Sequence, residues 1–410
     1  MRHLAHIALY QHHHLTNSKL RIDNLTRLLF LSKQAEPLSQ FPMPAFSKFL
    51  NTNCAHGTFL AMSNEKPLRT AADYDLVRFQ RSHAQEQLAS PSWYKSAIDK
   101  KILKHLMQRR DLPALRDTIL LYGLLIGLAV TAVMLGSSWL GVPVWLAYGV
   151  LYASAADSRW HEAGHGTAFK TGWMNEIVYQ IACFMIMRNP VTWKYSHARH
   201  HTDTLIVGRD PEIALMRPPR AIHTILNFFG IPDIIDAFKR MLVHLTGQLS
   251  ADEATFIPQN KHQEAIFISH LWLLIYASVI ASCVLLQSWL PVLLIGGPRI
   301  YGSWHFNMTG LIQHGGLDDN VTDHRLNTRT VYMNPISRFI YLNMNYHVEH
   351  HMFPAVPYYN LPALHQLLKD DLPPPSLSIW DAYKEMLPIL YRQLKGEAIY
   401  LERSWIAEQK

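Results

Sequence analysis

An uninterrupted apolar block constrains this chain more than any other feature: Thr118–Leu140 runs 23 residues without a charged side chain. A helix that crosses the hydrocarbon core of a bilayer needs ~20 such residues, so this block is read as a membrane span. Gly141-Val142-Pro143 supplies a tight turn, and a second apolar run continues to Ala156, just before Asp157. Together they predict a helical hairpin. Ile266–Leu290 is again apolar and uncharged apart from His270, and a weaker returning leg follows from Pro291 to about Ile312. That leg contains Gly296, Gly297, Pro298, Arg299 and His305, so a kink or only partial lipid exposure is expected. The predicted fold class is all-α and integral to the membrane: two transmembrane helical hairpins, about four spans, with a cytoplasmic helical domain. The turns near Gly141 and Ser288 carry no Lys or Arg, while basic residues collect before 118, across 188–263 and after 324. By the positive-inside rule both termini and the central section then face the cytoplasm. The shorter apolar stretch Ile177–Met187 is expected to lie in the interface or against the hairpins.

Bulk composition hides this arrangement. Hydrophobic content of 49% and a mean hydropathy of −0.02 would suit a soluble protein. A net charge of +7 fits nucleic acid or an anionic membrane surface. No run of five or six basic residues and no nucleic-acid-binding motif occurs, which favours the membrane and argues against nucleic acid. Cys54, Cys183 and Cys283 lie far apart without a C-x-x-C, so neither a disulfide framework nor a thiolate metal site is expected. Residues 1–61 read as a weakly ordered extension with an incidental His12–His14 triplet, and Met62 reads as an alternative start. Residues 62–117 form a cytoplasmic N-terminal helical region ending in Lys95, Lys100, Lys101, Lys104, Arg109, Arg110 and Arg116. The membrane domain covers 118–375. A C-terminal cytoplasmic part, 376–410, carries an amphipathic helix near Ile379–Leu394 that Pro388 should kink or interrupt.

Histidine is the outlier, with 24 copies. His161-Glu-Ala-Gly-His165 has spacing i, i+4; His197-Ala-Arg-His200-His201 and His347-Val-Glu-His350-His351 have spacing i, i+3, i+4. On a helix these separations place imidazoles on one face, a turn apart, where they can reach a common metal. At this histidine frequency a random chain carries roughly 0.08 copies of H-x-x-H-H, so two copies plus H-x-x-x-H point to a built site. Eight imidazoles exceed what one tetrahedral zinc can use, which makes two metals the natural count. Imidazole suits zinc, copper, iron or nickel, and oxygen chemistry would select iron. Glu162–His165 is the one Glu-x-x-His in the chain, which disfavours the carboxylate-rich di-iron type. The first cluster also fits the zinc-peptidase pattern H-E-x-x-H, but that reading explains two of the eight clustered histidines. A metal transporter or sensor is the third reading; transport sites sit near the membrane midplane, whereas these clusters follow the ends of spans.

The flanking residues carry a resemblance. His161–Thr171 (HEAGHGTAFKT), His197–Glu212 (HARHHTDTLIVGRDPE) and Gln313–Pro354 (QHGGLDDNVTDHRLN…NMNYHVEHHMFP) resemble the membrane fatty acid desaturase superfamily, and look like bacterial desaturase-like proteins of the rhizobitoxine and rhizopine type. The resemblance covers about residues 90–385. It implies that the eight clustered histidines are ligands of two iron ions, that His314 is a ninth, and that O₂ is a co-substrate. His305 and His324 match that ninth position less well. It further implies a lipid or acyl substrate and a site on the cytoplasmic side of, in that likeness, a bacterial inner membrane. The sequence contains no His-Pro-Gly-Gly haem-binding loop, so electrons are expected from a separate ferredoxin, Rieske-type or flavoprotein donor. Ligating imidazoles commonly hydrogen-bond a carboxylate with their second nitrogen; Asp157, Asp203, Asp210 and Glu349 lie close enough in sequence, and Glu162 is expected to orient an imidazole or line the site. Trp160, Trp173, Trp193 and Tyr346 are candidates for lining a substrate slot. Desaturation and hydroxylation remain alternative outcomes of the same ligand set.

Overall fold

The computed structural model describes residues 68–83, 90–136 and 138–402, and the expected extension 1–61, with Met62, lies outside them. Helices make up the fold. Among the described residues there is no strand, only isolated bridges pairing Thr330 with Tyr346 and Val331 with Ser376. Short helices α1 (Leu76–Ser82) and α2 (Lys100–Leu106) each begin at an aspartate, Asp75 and Asp99, whose carboxylate accepts two otherwise unpaired backbone N–H groups. Helix α3 (Asp111–Leu135) stops at Gly136, which adopts a φ of +54°.

Among the described residues two helical stretches are long and apolar enough to cross a membrane, Lys100–Leu135 and Gln259–Leu285, the latter containing α10 (His262–Leu285). Both leave large apolar side chains uncovered, among them Ile126, Met134, Leu274 and Val284, the surface that a lipid environment satisfies. Helices α8 (Ala221–Asn227) and α9 (Ile231–His244) meet at 87° and qualify only if taken as one bent span. The expected return legs are built differently. One runs through α4 (Gly141–Gly149), a π-helical turn Val150–Ala155 and α5 (Ala156–Gly164), and becomes polar as it reaches the first histidine cluster. The other is broken into α11 (Leu290–Leu294), α12 (Pro298–Gly302) and α13 (Trp304–His314), with the break at Gly296 and Pro298 where a kink was expected. Two qualifying helices are thus fewer than the four spans read from the sequence.

The two return legs touch backbone to backbone. A Cβ on Gly302 would lie 1.9 Å from the Gly149 carbonyl oxygen, and one on Gly149 would lie 2.3 Å from the Tyr301 ring. Ser154 clamps the junction: its Oγ donates to the Gly302 carbonyl at 2.7 Å and accepts from the Phe306 N–H at 2.8 Å. Gly302→Ala should therefore destabilise the protein by about 3 kcal/mol, the upper end of ordinary overpacking. A thermal melt in detergent with an unchanged Tm would reject this close approach.

Around this frame pack α6 (Gly172–Met185), α7 (Pro190–Asp203), α14 (His324–Asn327), α15 (Pro335–Ile340), α16 (His347–Met352), α17 (Leu361–Leu368) and α18 (Ile379–Leu394). The stretch Ile177–Met187 belongs largely to α6, which lies against α5 rather than standing alone. Helix α18 continues through Pro388, so that residue does not interrupt it.

Candidate metal centre

Each histidine cluster sits on a helix whose start is set by local chemistry. Helix α7 opens with Asn189, whose side chain accepts from the Val191 and Thr192 N–H groups, and with Pro190 in the first turn, where a missing N–H costs nothing. Helix α16 is held by the bridge between Thr330 and Tyr346 and by the Val331 N–H donating to the Asn345 carbonyl. His314 ends α13, and its Nδ1 donates to the Asn327 carbonyl at 2.9 Å.

The four elements bring nine histidines into two groups. His161, His165, His197, His201 and His350 form the first; His200, His314, His347 and His351 form the second. Within each group the candidate ligand atoms all lie within 4.8 Å of one another. The groups adjoin, with His201 and His351 rings stacked 4.5 Å apart. Helix geometry explains the division. At roughly 100° per residue, positions i and i+4 differ by ~40° around the axis, whereas i+3 and i+4 differ by ~100°. So His197 pairs with His201, and His347 with His351, while His200 and His350 turn to the opposite group.

Within the first group, His197 Nε2 lies 3.1 Å from both His165 Nε2 and His201 Nε2, and His350 Nε2 lies 3.2 Å from His201 Nε2. In the second, His347 and His351 Nε2 are 3.1 Å apart. Two nitrogens ~2.1 Å from one ion at a right angle are ~3.0 Å apart, so the spacing suits a shared cation. Orphaned atoms point the same way. The His314 Nε2 is buried without a hydrogen-bond partner, while its Nδ1 is engaged. His197 Nδ1 donates to Glu212 Oε2 and His200 Nδ1 to Asp210 Oδ2, both at 2.9 Å, which leaves each Nε2 as a bare lone pair.

Burial keeps most of these imidazoles neutral, the state a metal requires. It lowers His165 to about 4 and His314 to about 3, and holds His161, His197, His201, His347, His350 and His351 well below the usual range. His200 moves the other way: burial works against its charge, but the facing Asp210 carboxylate outweighs it. Burial raises Glu212 to about 7. The donor set is therefore imidazole throughout, with five and four nitrogens, and fits a pair of borderline transition-metal ions better than calcium or magnesium.

Carboxylates near the clusters divide sharply. Asp210 reaches the site because the chain reverses after α7, with Leu205 at φ +54° and Gly208 at +80°. The Leu205 N–H donates to Asp210 Oδ2 at 2.8 Å and the Glu212 N–H to Oδ1 at 2.8 Å. The other four expected partners are hydrogen-bonded elsewhere. Asp157 accepts from Arg188 at 2.7 Å and from the Trp160 indole at 2.9 Å. Glu162 accepts from the Tyr358 N–H at 3.1 Å. Asp203 pairs with Arg209 at 2.7 Å. Glu349 accepts from Thr330 at 2.6 Å and meets the His365 imidazole. For Glu162 and Glu349 the reason is again helical: a carboxylate one residue from a clustered histidine is turned roughly 100° away from it, whereas Asp157, a turn before His161, and Asp203 are drawn off by Arg188 and Arg209. Glu212, not singled out from the sequence, hydrogen-bonds a grouped histidine instead. His305 and His324 belong to neither group.

A cavity of about 580 Å³ runs along the histidines, lined by His161, His197, His200, His314 and His347 together with apolar, aromatic and charged side chains, Arg188, Arg217 and Asp319 among the last, within the usual size range for a small-molecule site. Trp160 and Trp193 line it; Tyr346 does not, and Trp173 is 62% exposed.

The comparison with known proteins turns on the same stretch. The family model for fatty acid desaturase matches residues 137–383, well over half of the 410. The chain belongs to the fatty acid desaturase family. All nine grouped histidines fall inside the match. The desaturase is 22% identical over 280 residues to an acyl-lipid (9+3)-(E)-desaturase of Dimorphotheca sinuata, covering 59% of this chain and 73% of that one. It is 23% identical over 242 residues to the Delta(5) fatty acid desaturase fat-4 of Caenorhabditis elegans, covering 51% of this chain and about half, 53%, of the relative. It is therefore a desaturase-like oxidoreductase, a class that implies a lipid or acyl substrate and a membrane setting. Membership accounts for both H-x-x-H-H clusters, which the peptidase reading left idle.

Proposed function

We propose that this desaturase is an O₂-dependent di-iron enzyme that introduces a double bond into a fatty-acyl or similar aliphatic chain, using electrons from a separate ferredoxin, Rieske-type or flavoprotein donor. One observation carries the reading: imidazoles from two adjoining groups, His161 and His197 from one and His200, His314 and His347 from the other, line a single cavity large enough for a chain of methylenes. Iron ions held by His161, His165, His197, His201 and His350, and by His200, His314, His347 and His351, would supply the oxidising power to take hydrogen from an unactivated carbon. The protein's own task is positional. Glu212, Asp210 and the Asn327 carbonyl hold the Nδ1 protons of His197, His200 and His314, so these imidazoles present one fixed tautomer. Trp160, Tyr341, Met344 and Phe306 give the cavity apolar wall, which favours an alkyl chain over water.

The proposed setting follows from the charge pattern: an integral membrane protein of about four spans, both termini and the metal centre cytoplasmic, in a bacterial inner membrane if the rhizobitoxine and rhizopine likeness holds. The broken leg from Pro291 to about Ile312 then counts as a span shared between lipid and protein, ending just before His314.

Expression with an electron donor, O₂ and labelled acyl lipids tests the reading. About two irons per chain, as expected for two imidazole groups, and a product two mass units lighter than the substrate are the expected results. A product heavier by one oxygen would make the enzyme a hydroxylase. One zinc and no oxidised lipid would remove the assignment.

A further inference from the structure

We propose that electrons enter this enzyme through Trp93 and His324, on a basic face that receives a small acidic one-electron carrier protein. The inference rests on the di-iron reading above and adds a location and a partner chemistry to it.

The need for such an entry follows from balance. Turning a CH₂–CH₂ unit into CH=CH releases two protons and two electrons, while reducing O₂ to two waters takes four electrons and four protons. The substrate supplies two of each. Two further electrons and two protons must come from outside, the electrons one at a time if the donor is an iron–sulfur or flavin carrier.

The segment 90–99 crosses the outer side of the histidine groups and is tied to both H-x-x-H-H helices. The Trp93 indole N–H donates to the Thr202 carbonyl at 2.9 Å, beside His201 in α7. Ser96 Oγ lies 3.5 Å from the Met352 sulfur, next to His351 in α16. Trp93 is partly exposed, and its ring lies flat on His324, with centroids 4.1 Å apart and planes at 2°. The His324 ring is buried and stands 5.0 Å from that of His351 in the second group. Rings in contact thus lead from the surface to a grouped histidine. Electron transfer weakens steeply with distance through protein, and such a stack shortens the gaps. A second chain of rings, Trp193–Trp160–His197, ends on the cavity, the space assigned to substrate.

Charge on this face selects the partner. Lys95 follows Trp93 by two residues and is exposed, as are Lys101, Lys104, Arg109 and Arg110. Arg109 donates to the Gly166 carbonyl at 2.8 Å, adjacent to His165. The carboxylates nearby are occupied: Asp99 caps α2, and Asp323 and Asp371 pair with Arg325. The exposed cations outnumber these carboxylates, so the surface is net positive and fits an acidic carrier, and such complementarity speeds encounter at low salt.

The test uses the full-length, iron-loaded protein and a reduced plant-type two-iron ferredoxin, an acidic carrier whose colour reports its own oxidation. Trp93→Leu is expected to slow ferredoxin oxidation roughly tenfold or more while iron content and reduction by dithionite stay as in the parent protein. Trp93→Phe, which keeps a ring on His324, should recover most of the rate. Lys95→Glu with Arg109→Glu should weaken ferredoxin binding roughly tenfold at low salt and flatten its salt dependence. Parental ferredoxin oxidation by Trp93→Leu, or an equal slowing with dithionite, would overturn the entry site. So would charge-reversed protein that binds ferredoxin unchanged. A parent chain that loads no iron would instead overturn the functional reading, and the entry site with it.

Discussion

His197→Ala is expected to abolish desaturation and to leave the protein with about one iron or fewer in place of two. Its Nε2 stands 3.1 Å from two neighbours in the first group, and its Nδ1 is bound by Glu212. Removing it opens the middle of a five-nitrogen set and leaves a buried carboxylate without its partner. Activity should fall by more than the ~100-fold that outer partners of metal ligands are worth. Iron content by atomic emission and product by mass spectrometry check this together. Two irons with parental turnover would mean that the first group is not a metal site.

Glu212→Ala carries the next largest effect, a loss of about 10–100-fold in iron affinity or activity. Its carboxylate fixes the His197 imidazole and also accepts from Ser196 Oγ at 2.8 Å. Glu212→Gln keeps an acceptor for the imidazole but removes the charge, so it should fall between the parent and Glu212→Ala. Competition against a calibrated chelator measures the affinity, and a thermal melt separates metal loss from unfolding. If Glu162→Gln lowered iron affinity as much as Glu212→Ala, the division of carboxylates would be wrong, because Glu162 faces Tyr358 and not a grouped histidine.

These expectations differ in how they could be reached. His197 was identifiable from spacing alone, since i, i+3 and i+4 place imidazoles on one helical face whatever the rest of the fold does. Glu212 was not. It lies eleven residues beyond His201, across a turn that needs positive φ at Leu205 and Gly208, and nothing in linear order says where such a turn delivers a side chain. The four misplaced partners fail for the converse reason. Asp157, Glu162, Asp203 and Glu349 are near the histidines along the chain, but rotation about the helix axis or a competing arginine takes them into contact with Arg188, Tyr358, Arg209 and Thr330 instead.

What the amino-acid order determined by itself is whatever depends on local periodicity or on length. The apolar run Thr118–Leu140, the kink near Pro298, the helix Ile379–Leu394 and the three histidine clusters all belong here. Each is set within a turn or two of helix, where 3.6-residue geometry and hydrophobic length act without long-range help. The tertiary structure decided the rest: which histidines share a group, which carboxylates orient them, how the return legs meet at Gly149 and Gly302, and that Trp93 stacks on His324. Those outcomes depend on contacts between residues far apart in sequence, as far as Trp93 is from His324. Packing selects them only after the helices exist, because a buried polar atom must find its partner wherever the assembled core places one.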